Sequence, residues 1–296
     1  MAFRFSDKEI VMIPLRPVTK DEVDTFWRDG VVCLRGIIEP ERVRAMADPL
    51  AAMLDTPELA NLTAMGDALA ASGNSVLRDA ETETKKGRFV AGVDHWISHV
   101  EFADFALRTC LPIVAATILQ SRKVNLWEDS VLAKEPGTAE RTAWHQDLPY
   151  FHVDGKNVCT MWCPLDVVTQ ESGAVKFVKS SHLWPDVYRP NFFVSTMSIP
   201  GSPGEDVPDI DAMSAEGSCE ILTFDTEPGD VTIHHARTIH GARANTSNRW
   251  RRAISLRYCG DDVVYQERPG TPLKSHHANF VAGAPLHPDD CPETTL

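Results

Sequence analysis

The stretch Thr142–Asn157, TAWHQDLPYFHVDGKN, sets His145 and Asp147 two residues apart in a short aromatic run. In a β-strand alternate side chains share a face, so this spacing sends an imidazole and a carboxylate into one cavity while Gln146 points away. One further imidazole completes the two-histidine, one-carboxylate facial set of non-haem Fe(II) oxygenases, which leaves three metal positions open. A His-x-Asp pair alone is commonly a surface or structural feature, so the third ligand decides. The best candidate is His240, 95 positions after His145 and just past an expected strand. His234 and His235 compete with it. Adjacent residues in a strand face opposite ways, so only one of the two faces the interior, and each reads more readily as a core or supporting histidine.

Outward from this motif the chain reads as short runs rich in β-branched and aromatic residues: VNLWEDSVLAK, VCTMWCPLDVV, GAVKFVKSS, CEILTFD, GDVTIHH and RRAISLRY. Such runs from about Val124 onward predict a sandwich or barrel. The N-terminal third reads mainly as helix. Thr19 and Glu22 form a capping box ahead of Val23, Phe26 and Trp27, Gly30 stops that helix, and Val31–Ile38 is strand-like. Pro40 opens a second helix that Pro49 is expected to break, and the helical pattern Phe102–Leu119 is interrupted at Pro112. The Pro- and Gly-containing segment Val194–Cys219 is too long for a hairpin and is expected to be a lid or a disordered loop.

Arg251 lies 11 positions beyond His240 and shares a strand face with Ala253, Ser255 and Arg257, while Arg252, Ile254, Leu256 and Tyr258 share the other. A guanidinium on an interior face is costly without a carboxylate partner. That partner is either a protein carboxylate, Asp166 or Asp225, or a bound dicarboxylate. With its 1-carboxylate and keto oxygen on iron, 2-oxoglutarate extends its 5-carboxylate toward such a planar bidentate donor.

The formal net charge of −13 argues against nucleic acid or an anionic membrane as partner and suits a small-molecule substrate. Seven cysteines without paired spacing read as reduced thiols. The first residues lack the pattern of a signal peptide, and no apolar run approaches the roughly 18 residues of a membrane span. A cytoplasmic location is expected.

The motifs DSVLAKEPGT, WHQDLPYF, MWCPLDVVTQESGAVKFVKSSHLW, HGARANTSNRWRRAISLRY and GDDVVYQERPG occur in order. In this the chain resembles the bacterial branch of the phytanoyl-CoA dioxygenase family of Fe(II)/2-oxoglutarate-dependent oxygenases. The resemblance implies iron ligands at His145, Asp147 and His240, the arginine for the distal 2-oxoglutarate carboxylate at Arg251, and cosubstrate-pocket positions near Trp162 and Phe151. It departs from the family at Ala242, where relatives often carry a serine that donates to that carboxylate; either another donor, Ser255 or Thr142, substitutes or the carboxylate is held more loosely. His182 is expected to be structural.

The implied fold is mainly β with flanking helices, a double-stranded β-helix (jelly-roll, cupin-like) barrel. Residues 1–296 would form one domain: a helical part to about 120, a core over 121–270 and a tail over 271–296. The implied cofactors are Fe(II), 2-oxoglutarate and O₂, and the implied reaction is hydroxylation of an unactivated C–H bond with release of succinate and CO₂, with desaturation or cyclisation by the same oxidant as the alternatives. Asp147 fills the position that related halogenases leave small for chloride. Phe151, Trp162 and Phe177 are expected as apolar walls, and Arg257, Arg189, Tyr150, Tyr258 and Trp184 as candidate pocket or mouth residues. The alternative class is a non-redox, cupin-like metal-binding isomerase, hydrolase or sensor, which has no need of a 2-oxoglutarate anchor at Arg251.

Overall fold

The computed structural model describes residues 12–79 and 87–295. Its helices are α1 (Lys20–Asp29), α2 (Pro40–Arg44), α3 (Ala47–Met53), α4 (Leu62–Ala71), α5 (Val100–Arg108), α6 (Leu111–Leu119) and α7 (Ile210–Ala215). Its strands are β1 (Val31–Leu34), β2 (Ala60–Asn61), β3 (Phe89–Val93), β4 (Lys123–Lys134), β5 (Thr142–His145), β6 (Val153–Asp154) and β7 (Val158–Pro164). They continue with β8 (Val175–Val178), β9 (Ile221–Thr223), β10 (Val231–His235), β11 (His240–Ala242), β12 (Arg251–Cys259), β13 (Val264–Tyr265) and β14 (Glu293–Thr295).

Local signals account for the helix boundaries. Thr19 and Glu22 cap α1 reciprocally, and Gly30 ends it with φ 81°. Both expected interruptions are present: one run stops at Arg44 and resumes at Ala47, ahead of Pro49, and the other stops at Arg108 and resumes at Leu111, ahead of Pro112. Pro49 sits in the first turn of α3 and Pro112 in the first turn of α6, where a missing N–H costs nothing, so the breaks fall just before them.

Eight strands form one sheet in the order β1-β10-β7-β12-β4-β3-β2, with β14 also paired to β4. Four more, β5-β11-β8-β9, form a second sheet, and β13-β6 a small third ladder. All pairings are antiparallel. This is the jelly-roll arrangement, but as two separate sheets; among the described residues no ladder closes them into a barrel.

The large sheet carries helices on one face. Ile254, Leu256 and Tyr258 of β12 join Met161, Ile233, Phe26, Phe102, Leu111 and Val114 in the main apolar core. The other face, with Arg251, Ser255 and Arg257, turns toward the second sheet and lines a cavity there. No single described helix is long and apolar enough to cross a membrane; α5 and α6 together are apolar enough but bend by 44° between them, and α6 is almost wholly buried in this core.

Two further segments are held in place by their own contacts. Val194–Cys219 is folded: it holds α7, capped by Asp209, and Asp211 takes Arg141 Nη2 at 2.8 Å and Trp144 Nε1 at 3.1 Å. The expected tail is tied down as well. β14 pairs with β4, and Lys274 bonds Asp94 at 2.8 Å and also reaches Glu128.

Candidate functional site

Strand β5 ends at His145, and Asp147 opens a single 3₁₀ turn, Leu148–Tyr150. The two side chains converge although Asp147 has left the strand. His240, on β11, is the direct cross-strand partner of His145, and their ring centres are 4.2 Å apart. Asp147 Oδ1 lies 3.6 Å from His145 Nε2 and 3.7 Å from His240 Nε2. All three residues are buried, and one donor atom from each lies within 4.8 Å of the others.

Backbone carbonyls orient both imidazoles. His145 Nδ1 is 2.8 Å from the Ala143 carbonyl and His240 Nδ1 is 3.0 Å from that of Thr238. A proton on each Nδ1 leaves both Nε2 lone pairs facing Asp147 Oδ1. Burial, then His145 and His234, push the His240 pKa well below its ordinary value, so the ring is neutral. Burial by itself raises the Asp147 carboxyl, but its hydrogen bond with His234 and the positive charge of Arg257 hold it well below the usual carboxylate range.

The other carboxylate oxygen is held from the large sheet. Thr160 Oγ1 donates to Asp147 Oδ2 at 2.5 Å, and His234 Nε2 lies 3.1 Å from the same atom. Thr160 and His234 are themselves register partners on β7 and β10. Of the adjacent histidines, His234 therefore faces the site. His235 faces the helices instead, beside Phe26, Trp27 and His182.

Arg251 reaches the same cavity, which lies between the sheets. It is 2% exposed, its guanidinium lies 4.9 Å from the Trp162 ring centre, and its Nε makes no hydrogen bond among the described residues. Neither expected carboxylate reaches it. Asp166 pairs with Arg252 at 2.7 Å, and Asp225 Oδ1 accepts from the Gln170 amide at 3.2 Å. Burial lowers the Arg251 pKa to about 10, with no anion among the described residues to offset it.

Ser255, Thr142 and Ala242 line the cavity beside Arg251. A buried, unpaired guanidinium facing two imidazoles and a carboxylate across one cavity fits a metal chelated by a dicarboxylate.

Phe151, expected at the pocket wall, does not line the cavity. It packs with Trp127, Leu148 and Val153 and meets the site only through Arg257, 5.8 Å above its ring. Phe177 stacks on His240 at 6.1 Å. Among the candidate mouth residues, Arg257 lines the cavity, and Tyr150 sets its ring edge-on to His145 at 5.7 Å. Arg189 lies in a neighbouring surface cleft that shares Thr142 with the cavity.

Tyr258 and Trp184 are elsewhere: the Tyr258 hydroxyl bonds Ala106 on the helical face, and Trp184 packs near Tyr188. His182 bonds the Trp27 carbonyl at 3.1 Å.

Phe193 was not legible as a site residue. Its φ of 59° is a left-handed conformation rare for an aromatic residue, and it brings the ring to 4.8 Å from His145. A non-glycine residue held there is strained, which is common beside functional sites.

Residues 26–253 match the family described as Phytanoyl-CoA dioxygenase (PhyH). The chain belongs to the phytanoyl-CoA dioxygenase family. That places it in the class of iron- and 2-oxoglutarate-dependent dioxygenases.

Two curated relatives agree. A probable phytanoyl-CoA dioxygenase of Caenorhabditis elegans is 27% identical over 137 residues, 45% of this chain and 42% of the relative, so the match spans under half of that protein. The multifunctional dioxygenase prhA of Penicillium brasilianum is 27% identical over 265 residues, 83% of this chain and 76% of the relative.

Among solved structures, the epimerase SnoN in complex with Fe3+, alpha ketoglutarate and nogalamycin RO superposes with TM-score 0.69 at 23% identity, covering 93% of this chain and 97% of that one. The carbocyclase SnoK from nogalamycin biosynthesis gives 0.66 at 21%, covering 94% and 97%. At these identities the likeness is one of fold.

Proposed function

We propose that this family member uses Fe(II), 2-oxoglutarate and O₂ to hydroxylate an unactivated C–H bond of a small organic substrate, with His145, Asp147 and His240 as the iron ligands. The observation that carries the reading is Arg251, a buried guanidinium in the cavity the triad faces that no carboxylate of the described residues pairs with. Bound iron with 2-oxoglutarate and O₂ supplies the oxidant, releasing succinate and CO₂.

The chain's own residues bind, orient and exclude water. His145 and His240 offer Nε2 lone pairs aimed by the Ala143 and Thr238 carbonyls. Thr160 and His234 hold Asp147 Oδ2 and leave Oδ1 for the metal. Arg251 takes the distal carboxylate with two parallel N–H donors, and Trp162 covers the guanidinium.

Ser255 or Thr142 supplies the hydroxyl that Ala242 lacks. Asp147 occupies the position a halide would need. Phe193 and Leu132 make apolar walls suited to hydrogen abstraction rather than hydrolysis. In this reading residues 1–296 work as one catalytic unit, the N-terminal strands and helices buttressing the sheet that carries Arg251.

The test is succinate formation with Fe(II), ascorbate and 2-oxoglutarate under air, across acyl-CoAs, amino acids, betaines and polycyclic metabolites. One class is expected to raise succinate above the uncoupled background and to yield a product one oxygen heavier. Metal-dependent turnover of substrate without consumption of 2-oxoglutarate would move the protein to the non-redox class, and a chlorinated product would overturn the role given to Asp147.

A further inference from the structure

A second group of metal-binding side chains lies between β3 and α5. His95 and His99 are four residues apart, and the His99 N–H donates to the His95 carbonyl at 2.9 Å, so one helical turn sets both side chains on the same side. Pairing of β2 with β3, Ala60 opposite Ala91, brings Glu58 over this turn. Glu58 Oε2 then lies 2.5 Å from His99 Nε2, and one donor atom from each of Glu58, His95 and His99 lies within 4.8 Å of the other two.

His95 is the informative member. It is 3% exposed, yet its Nε2 makes no hydrogen bond among the described residues. A buried nitrogen left unpaired is costly, and native structures rarely keep one without a reason. The surrounding chain makes room for it: a Cβ at Gly92 would stand 2.7 Å from that nitrogen and 2.5 Å from the Glu58 carbonyl oxygen. Gly92 is not in the left-handed region, so its lack of a side chain serves space rather than conformation.

We propose that Glu58, His95 and His99 form a second metal site, for a divalent transition-metal ion of the Zn2+ type, separate from the triad. Two neutral imidazoles and a carboxylate are the donor set such an ion takes, with water in the remaining position. Water has access, because the His99 and Glu58 side chains are 30% and 42% exposed. Ligand distances near 2.0–2.2 Å require the Glu58 carboxylate to swing off His99, which its exposed side chain permits. The ion would clip the connection before β2 to the start of α5. Without metal, Glu58 and His99 are simply hydrogen-bonded to each other.

The experiment titrates Zn2+ against a chromophoric chelator in the Asp147→Ala variant, whose triad is disabled. One Zn2+ per chain is expected. It should be lost in Asp147→Ala/His99→Gln, and weakened in Asp147→Ala/Glu58→Gln by at least the roughly tenfold that loss of a metal's supporting partner costs. Co2+ bound there should absorb strongly in the visible, as four-coordinate Co2+ does and a six-coordinate triad site does not.

If Asp147→Ala fails to fold, the wild-type holoenzyme loaded with Fe(II) and 2-oxoglutarate takes its place, and one further equivalent of Zn2+ is expected. No Zn2+ bound beyond the triad, or binding indifferent to His99→Gln, overturns the proposal.

Discussion

The Arg251 guanidinium lies 4.9 Å from the centre of the Trp162 ring, and no carboxylate of the described residues pairs with it. A charge buried this way is stable only if its counter-ion arrives from outside the chain. Arg251→Ala should therefore weaken 2-oxoglutarate binding by on the order of 2–5 kcal/mol while iron binding is retained. Arg251→Lys should rescue poorly, because an ammonium cannot make the paired N–H contact. Anaerobic calorimetry with Mn2+ in place of Fe(II) reads both quantities, and unchanged 2-oxoglutarate affinity in Arg251→Ala would make this residue structural.

Asp147 is clamped through Oδ2, so its clamp can be removed without touching a metal ligand. Thr160→Val and His234→Ala should each lower iron affinity by about 10–100-fold, whereas Asp147→Ala or His240→Ala abolishes stoichiometric binding. Iron content after dialysis against a graded chelator separates the two behaviours. Full loss in His234→Ala with retention in His240→Ala would exchange their roles.

Asp129 gives a pH prediction away from the metal. It is fully buried on β4, and burial pushes its carboxyl up to about 7, with Asp94 and Glu128 adding to the shift against the Trp96 amide that bonds it. A folded pKa raised above the unfolded value of about 3.9 means that the native state binds the extra proton. This group's contribution to stability therefore falls as pH rises from about 4 to about 7. Asp129→Asn removes that slope. Relative to wild type, the variant should gain stability between pH 5 and pH 8 in urea unfolding, and a constant difference would refute the shift.

Gly30 links helix α1 to the metal site. Its carbonyl accepts from Thr238 Oγ1 at 2.7 Å and from the His235 amide at 2.9 Å, and the Thr238 carbonyl holds His240 Nδ1. With φ +81°, an added Cβ would sit 2.5 Å from His182 Nδ1 and 2.6 Å from Thr238 Oγ1. Gly30→Ala should cost more than about 2 kcal/mol from the left-handed backbone and the clash together. It should also weaken iron binding, read as a lower melting temperature and a higher dissociation constant. A variant with wild-type values of both would show that α1 does not brace the site.

Much of the fold was local and so legible. The capping box at Thr19 and Glu22, the stop at Gly30 and the strand-like runs after Val124 each depend on neighbours within a few residues. The interruptions near Pro49 and Pro112 were legible too, and they fall a few residues upstream because each proline occupies a first turn. Helix α7 was missed because only six residues carry it and surrounding glycines and prolines mask its pattern.

By itself the sequence determined the chemistry available to this protein: an imidazole and a carboxylate two apart, a further histidine near position 240, and an arginine on the inward face of β12. Those are properties of residue type and of a two-residue period, and both survive any arrangement of the strands. Tertiary structure alone decided which histidine stands opposite which. His240 meets His145 because β11 pairs with β5, and His234 meets Thr160 because β10 pairs with β7. It also decided that Asp166 goes to Arg252 and leaves Arg251 unpaired, and that Phe151 packs under Arg257 instead of lining the cavity. Register between strands this far apart in the chain is set by the packing of whole sheets, and no window of local sequence contains that information.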